Sequence, residues 1–149
     1  MKYIKQSILL ILLSMPVQAK EVNTTIKIIY KEAKAAKLNT DDIIRIAYIE
    51  SRINMDAIPR INSNGTIDYG LFQINSIHWD TTCKQYDITT VVGNTKCAIK
   101  IILQHKKFST KDPNWLGRYH SKTPSKKLHY LRLLRGVSNK SIAAMGVRG

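Results

Sequence analysis

The 149-residue chain carries 24 Lys and Arg against 10 Asp and Glu, a formal charge of +14, and its length supports one domain with a real core and no second. At 44% apolar residues it is too hydrophobic to stay disordered, and its 7 Gly and 4 Pro exclude collagen-like and Pro-rich architectures. Two Cys and 4 His, with no His-Glu-x-x-His or Cys-x-x-Cys spacing, cannot build a Cys₄ zinc centre, so neither a metal nor any other cofactor is expected.

At the N-terminus, Lys2 and Lys5 precede an apolar run at 8–13, and Val17-Gln18-Ala19 follows with small residues at the −3 and −1 positions. That order predicts a secretory signal peptide over residues 1–19. The apolar run is too short to span a bilayer, and an uncleaved N-terminal anchor is the other reading. No later stretch approaches transmembrane length, so the expected product is exported, periplasmic or secreted. In an oxidising compartment Cys83 and Cys97 are the only possible intrachain pair. A bridge would close a loop of about 15 residues and contribute roughly 3 kcal/mol; two buried thiols are the alternative.

Ile26, Ile29, Tyr30, Ala33 and Lys37 recur at helical spacing after Thr24-Thr25, which can cap, and predict an amphipathic helix ending near Asn39. A second helix follows with Asp41 and Asp42 in its first turn, where carboxylates suit the dipole. Its run from Ile43 to Glu50 is apolar on nearly every side and belongs in the core. Residues 60–69 alternate loosely about Asn64-Gly65, a strong hairpin signal. A third helix is expected from Thr95 to Phe108 with Cys97, Ile101 and His105 on one face, then a short segment at Trp115–His120. Thr123-Pro124 opens a basic fourth helix carrying Leu128, Leu131 and Leu134. The domain is expected to span 20–135, with 136–149 a flexible basic tail.

Glu50 shares a helix face with Ile43, Ile46 and Ala47, so its carboxyl points the way its apolar neighbours point. Burial raises the pKa of such a group and holds it protonated, as a general acid acting on a leaving-group oxygen requires. The competing reading is a surface carboxylate paired with Arg45 or Arg52.

The run Asn62-Ser63-Asn64-Gly65-Thr66-Ile67-Asp68-Tyr69-Gly70-Leu71-Phe72-Gln73-Ile74-Asn75-Ser76, with Trp79 just after, resembles the active-site hairpin of lysozyme-like proteins. Within it, Gly70-Leu71-Phe72-Gln73-Ile74 is similar to the Gly-Leu-Met-Gln-Ile motif of soluble lytic transglycosylases. Asn94-Thr95-Lys96-Cys97-Ala98 resembles the start of the next lysozyme helix, and Trp115 to His120 resembles the transglycosylase Ala-Tyr-Asn region. The resemblance covers about residues 25–135. It implies an α+β, mainly helical fold with a small β-hairpin beside a cleft, and Glu50 as catalytic acid/base. It also implies Ser51, Gly70, Gln73 and Tyr119 at the substrate. Phe72 departs from the motif's Met, and His120 stands where Asn is usual.

Asp68 is either a second catalytic carboxylate or a hydrogen-bond acceptor supporting the hairpin. Tyr69 reads as cleft wall or core, and Asn75 as a hairpin bond or a sugar contact; both join the candidate substrate-binding set. Trp79 and Trp115 could stack on sugars or fill the core, and His105 reads as an ordinary residue.

The resemblance implies a peptidoglycan lytic transglycosylase cleaving between N-acetylmuramic acid and N-acetylglucosamine. Its alternatives are a lysozyme-type hydrolase using Glu50 and Asp68, or an inactive lysozyme-like cell-wall-binding protein. The Tyr119 to Pro124 stretch looks like the small transglycosylases that accompany secretion, conjugation and pilus machines. The expected partners are therefore glycan strands and components of such a machine, with the protein itself a monomer. From Gly117 to Gly149 there are eight Lys and Arg and no acid, a surface that would attract anionic polymers. Export and the lack of a recognised motif argue against a nucleic-acid module.

Overall fold

The computed structural model describes residues 4–142 and 144, with residues 4–19 and 139 described by backbone alone. Of the expected leader, residues 1–3 lie outside the described residues, as do 143 and 145–149 of the expected tail.

Helix α1 (Ile4–Ala35) runs unbroken through Thr24-Thr25, so the expected helix start there is corrected. The Thr24 hydroxyl bonds back to the Lys20 carbonyl at 3.0 Å instead of capping a new helix. Ile26, Ile29 and Ala33 are buried from this helix, against α2 and α3.

Helix α2 (Thr40–Ser51) starts at Asn39, whose side chain accepts from the Asp42 amide. Ile43, Ile44, Ile46 and Ala47 are all buried, so α2 passes through the core. It stops at once after Ser51: Arg52 and Ile53 both take φ of +60°. Their amides return to the Tyr48 and Ala47 carbonyls, a left-handed closure made without glycine.

Strands β1 (Arg60–Ile61) and β2 (Ile67–Tyr69) form the expected hairpin, with Gly65 at φ +78° in its loop. A third strand, β3 (Ile74–Asn75), pairs with β2 to complete a three-stranded antiparallel sheet. The β1–β2 register places Arg60 opposite Asp68. Thus the architecture is α+β, mainly helical with a small sheet.

Cys83 and Cys97 are joined by a disulfide, tying the segment after the sheet to helix α3 (Val91–Lys106). This helix begins before the expected Thr95, because the Thr90 hydroxyl caps it by accepting from the Gly93 amide. A 3₁₀ segment (Trp115–Tyr119) leads to α4 (Pro124–Gly136) and α5 (Asn139–Ile142). On α4 the buried face is Tyr130, Leu131 and Leu134, while Leu128 is 41% exposed; the expected leucine stripe is turned by part of a turn. Val137 and Ile142 are buried with the core, so packing continues past residue 135.

Asn94, fully buried in the first turn of α3, pins the sheet to the helices. Its Oδ1 accepts from the Phe72 amide at 2.9 Å, and its Nδ2 donates to the Ile88 carbonyl at 3.0 Å. Gly70 (φ +74°) lets the chain approach, since a Cβ there would run into the Asn94 amide and the Met55 methyl. Asn94→Ala leaves a buried amide and carbonyl unpaired. It is expected to lower unfolding free energy by about 3 kcal/mol, measured as a shift of the urea midpoint.

Candidate active site

Glu50 sits in the last turn of α2, one residue before the left-handed closure. The helix therefore ends just where its side chain meets the sheet. Its side chain is only 7% exposed. From α4, the Tyr130 hydroxyl donates to Glu50 Oε1 at 2.7 Å. From β1, the Arg60 guanidinium Nη2 lies 3.6 Å from Oε2. Burial pushes the Glu50 pKa up to about 7; the Tyr130 hydrogen bond and the Arg60 charge pull against it, and the Asp68 charge adds to the rise. The group is thus half-protonated near neutral pH.

Asp68 on β2 faces the same space with both oxygens engaged. Oδ1 accepts from the Asn75 amide at 2.8 Å, and Oδ2 lies 3.3 Å from Arg60 Nε. One guanidinium therefore spans the two carboxyls.

These groups line a polar cleft of about 450 Å³ whose wall includes Glu50, Asp68, Gln73, Asn75 and Tyr119. The hairpin loop contributes Asn62, Ser63 and Asn64, and the opposite side His78, His120 and Lys126. A second cavity of about 280 Å³ shares Glu50, Arg60 and His120 and continues between α2 and α4 past His129 and Leu133. Amide, hydroxyl and basic side chains in a groove of this size can bind a polyhydroxylated chain beside the Glu50 carboxyl.

The remaining expected site residues support the cleft from behind. Ser51 is buried, donating to the Leu71 carbonyl at 2.7 Å and accepting from the Asn54 amide, so it fastens α2 to the turn after β2. Gly70 gives Asn94 its room. Gln73, in a left-handed conformation at φ +47°, donates to the Gly70 carbonyl while still facing the cleft. Tyr119 donates to the Phe72 carbonyl at 2.8 Å, and Phe72 itself is core. Tyr69 meets Trp79 edge-to-face at 6.5 Å. Trp79 bonds the Ile74 carbonyl, and it and Trp115 pack against the core without lining the cleft. His105 is half-buried, and burial, with the nearby Arg118, His78 and Lys122 charges, pushes its pKa down to about 4.

Tyr130 and Arg60 escaped sequence reasoning, and His120 stood out only as a departure from the motif. Tyr130 shares a helical phase with Leu134 and Val137, which could have marked it as buried. His120 stacks on the Tyr130 ring at 4.8 Å and 3°, a contact no local pattern signals. Arg60 is found only from the hairpin register.

Comparison with known proteins agrees with this geometry. The family model described as Transglycosylase SLT domain matches residues 27–121. Among curated relatives, a lysozyme of Galleria mellonella is 36% identical over 67 residues, 38% of this chain and 55% of its own. Lysozyme-like protein 6 of Homo sapiens is 44% identical over 45 residues, 30% of each chain. A lysozyme of Hyalophora cecropia is 37% identical over 62 residues, 34% of this chain and 45% of its own. The chain thus spans about half or less of the length of these relatives. No solved structure matches it.

Two outcomes follow from the state of Glu50. Tyr130→Phe removes a donor to the charged carboxylate, so the Glu50 midpoint should rise by about one unit, read by carboxyl-carbon NMR titration. The folded pKa lies above the ordinary 4.5, so the cost of ionising Glu50 is absent below pH 4.5. It grows as pH rises and is complete above 7, at about 3 kcal/mol. Glu50→Gln should therefore be the more stable protein at pH 8 by about that amount, with the difference vanishing near pH 4 in denaturant titrations.

Proposed function

The chain belongs to the transglycosylase SLT domain family, and on that premise we propose that it is a peptidoglycan lytic transglycosylase with Glu50 as its general acid and base. The observation that carries this reading is the contrast between the two carboxyls of the cleft. Glu50 is buried, with its pKa pushed up to about 7, whereas both oxygens of Asp68 are committed, to Asn75 and to Arg60. A nucleophile has to present a free oxygen to the sugar carbon; an acid that later takes the proton back needs no such partner.

In this mechanism Glu50 gives its proton to the glycosidic oxygen between N-acetylmuramic acid and N-acetylglucosamine. The C1–O bond breaks, and the N-acetylglucosamine leaves with its 4-hydroxyl restored. The carboxylate left on Glu50 then takes the proton of the muramoyl 6-hydroxyl as that oxygen bonds to C1. The product is a 1,6-anhydro ring, Glu50 is again protonated, and no water is consumed. Asp68, held by Arg60 and Asn75, stabilises the positive charge that develops on the sugar. Gln73, Asn75, Tyr119 and the backs of Ser51, Tyr69 and Gly70 shape the binding surface.

A second reading, a lysozyme-type hydrolase, is favoured by the presence of Asp68 in the same cleft and by the relatives named lysozyme. There, water would replace the 6-hydroxyl as the final acceptor.

The wider setting follows from the same family reading. Residues 1–19 act as an export leader, and the Cys83–Cys97 disulfide suits an oxidising compartment. No helix among the described residues is long and apolar enough to cross a membrane. A chain of charge +14 is drawn to an anionic wall polymer. There the protein, as a monomer, opens the wall locally for a secretion, conjugation or pilus assembly.

Mass spectrometry of muropeptides released from purified sacculi tests the chemistry. The expected products end in 1,6-anhydro-N-acetylmuramic acid, and Glu50→Gln should lower their release by at least about a hundredfold. Reducing ends would select the hydrolase, and equal release by the variant would overturn the role of Glu50.

A further inference from the structure

At rest the Arg60 guanidinium stands beside one oxygen of the Glu50 carboxyl. Oε1 of Glu50 accepts the Tyr130 hydrogen bond, so in the protonated acid the transferable proton resides on Oε2. That oxygen is the one facing the Arg60 guanidinium, at 3.6 Å. A glycosidic oxygen approaching Oε2 competes with Arg60 for the space beside it. Arg60 also borders both cavities that share Glu50, so it lies in the path of a strand that fills both.

We propose that Arg60 is a positioning residue that latches the empty cleft: it bridges Glu50 and Asp68 at rest, and when a glycan strand enters its Nη2 swings off Oε2 while its Nε stays with Asp68. Its own structure allows the movement. The Arg60 side chain is 53% exposed, and it belongs to a two-residue strand at the edge of the sheet. Its ion pairs to Glu50 and Asp68 lie at 3.6 and 3.3 Å, longer than a close charged hydrogen bond.

The groups facing Glu50 divide by element. They are Tyr130 and His129 from α4, Arg60 from β1, Asp68 from β2, and Tyr119 and His120 at the 3₁₀ segment. Of these, Arg60 favours the ionised form of Glu50 and Asp68 opposes it. Movement of the guanidinium off Oε2 would weaken the first influence and leave the second in place. The acid is thereby held more firmly protonated only when a strand is in place.

This inference rests on the reading of Glu50 as the acid, and pH–rate profiles on sacculi separate the two. The alkaline limb of kcat/KM reports the free enzyme and that of kcat the complex. In Arg60→Gln the limb of kcat/KM should lie about one pH unit above that of wild type. In kcat the two limbs should lie much closer together, because Arg60 has already moved off Oε2 in the wild-type complex. Arg60→Lys, which keeps the charge, should restore the wild-type limb in kcat/KM.

Equal separation of the limbs in both profiles would mean that Arg60 stays beside Glu50, and would overturn the latch. Coincident limbs in both would overturn the coupling itself. If neither protein releases muropeptides, the functional reading fails. The Glu50 midpoint by NMR then decides the coupling: unchanged between wild type and Arg60→Gln, it sinks the inference as well.

Discussion

Everything in this fold is arranged around one costly placement, a carboxyl at the end of a helix that lies in the core. The apolar face of α2 is what brings Glu50 to a dry position, because Ile43, Ile44, Ile46 and Ala47 are buried on it. Burial alone would leave a poorly oriented acid. The orientation comes from the left-handed pair Arg52-Ile53, which ends the helix at the cleft edge, and from Ser51, which bonds the turn beyond β2. Tyr119 and Asn94 hold the same turn from two other elements through the Phe72 carbonyl and amide. Three elements thus converge on a short backbone stretch whose position sets the cleft wall.

Much of this was legible in the sequence because it is local. The apolar run of α2, the Asn64-Gly65 loop, the lone cysteine pair and the face carrying Glu50 each depend on residues close in the chain. What escaped depends on phase and register. Counting a two-residue turn outward from Asn64-Gly65 pairs Ile61 with Asp68, whereas the wider loop closed by Asn62 and Thr66 pairs Arg60 with it. A shift of one residue changes which side chain faces the cleft. On α4 the leucines at 128, 131 and 134 form a plausible stripe, but the core takes Tyr130 in place of Leu128. The expected start of α3 at Thr95 lies four residues inside the observed one at Val91. Here Asn94 is a buried bracket and Thr90 is the cap.

The family match and the site do not have the same extent. The matched span ends at residue 121, yet the hydroxyl that orients the acid comes from Tyr130 on the helix beyond it. That helix is clamped to the loop before it by Asp112, which pairs with Lys127 at 2.6 Å and Arg118 at 3.6 Å. Arg118 also lies over the Phe108 ring at 4.2 Å. The matched span therefore supplies the cleft and its carboxyls, and the segment after it supplies the group that aims one of them.

The hydrogen bond from Tyr130 to Glu50 joins residues 80 apart in the chain. During synthesis the carboxyl emerges long before its hydroxyl partner, and so does the sheet it faces. A chain made from its N-terminus delivers the carboxyl first and the group that orients it late. The unfinished molecule can form α2 and the hairpin while its acid is still unaimed. Docking of α4 then acts as the closing step of assembly, so a half-emerged chain would have the outline of the cleft without the means to use it.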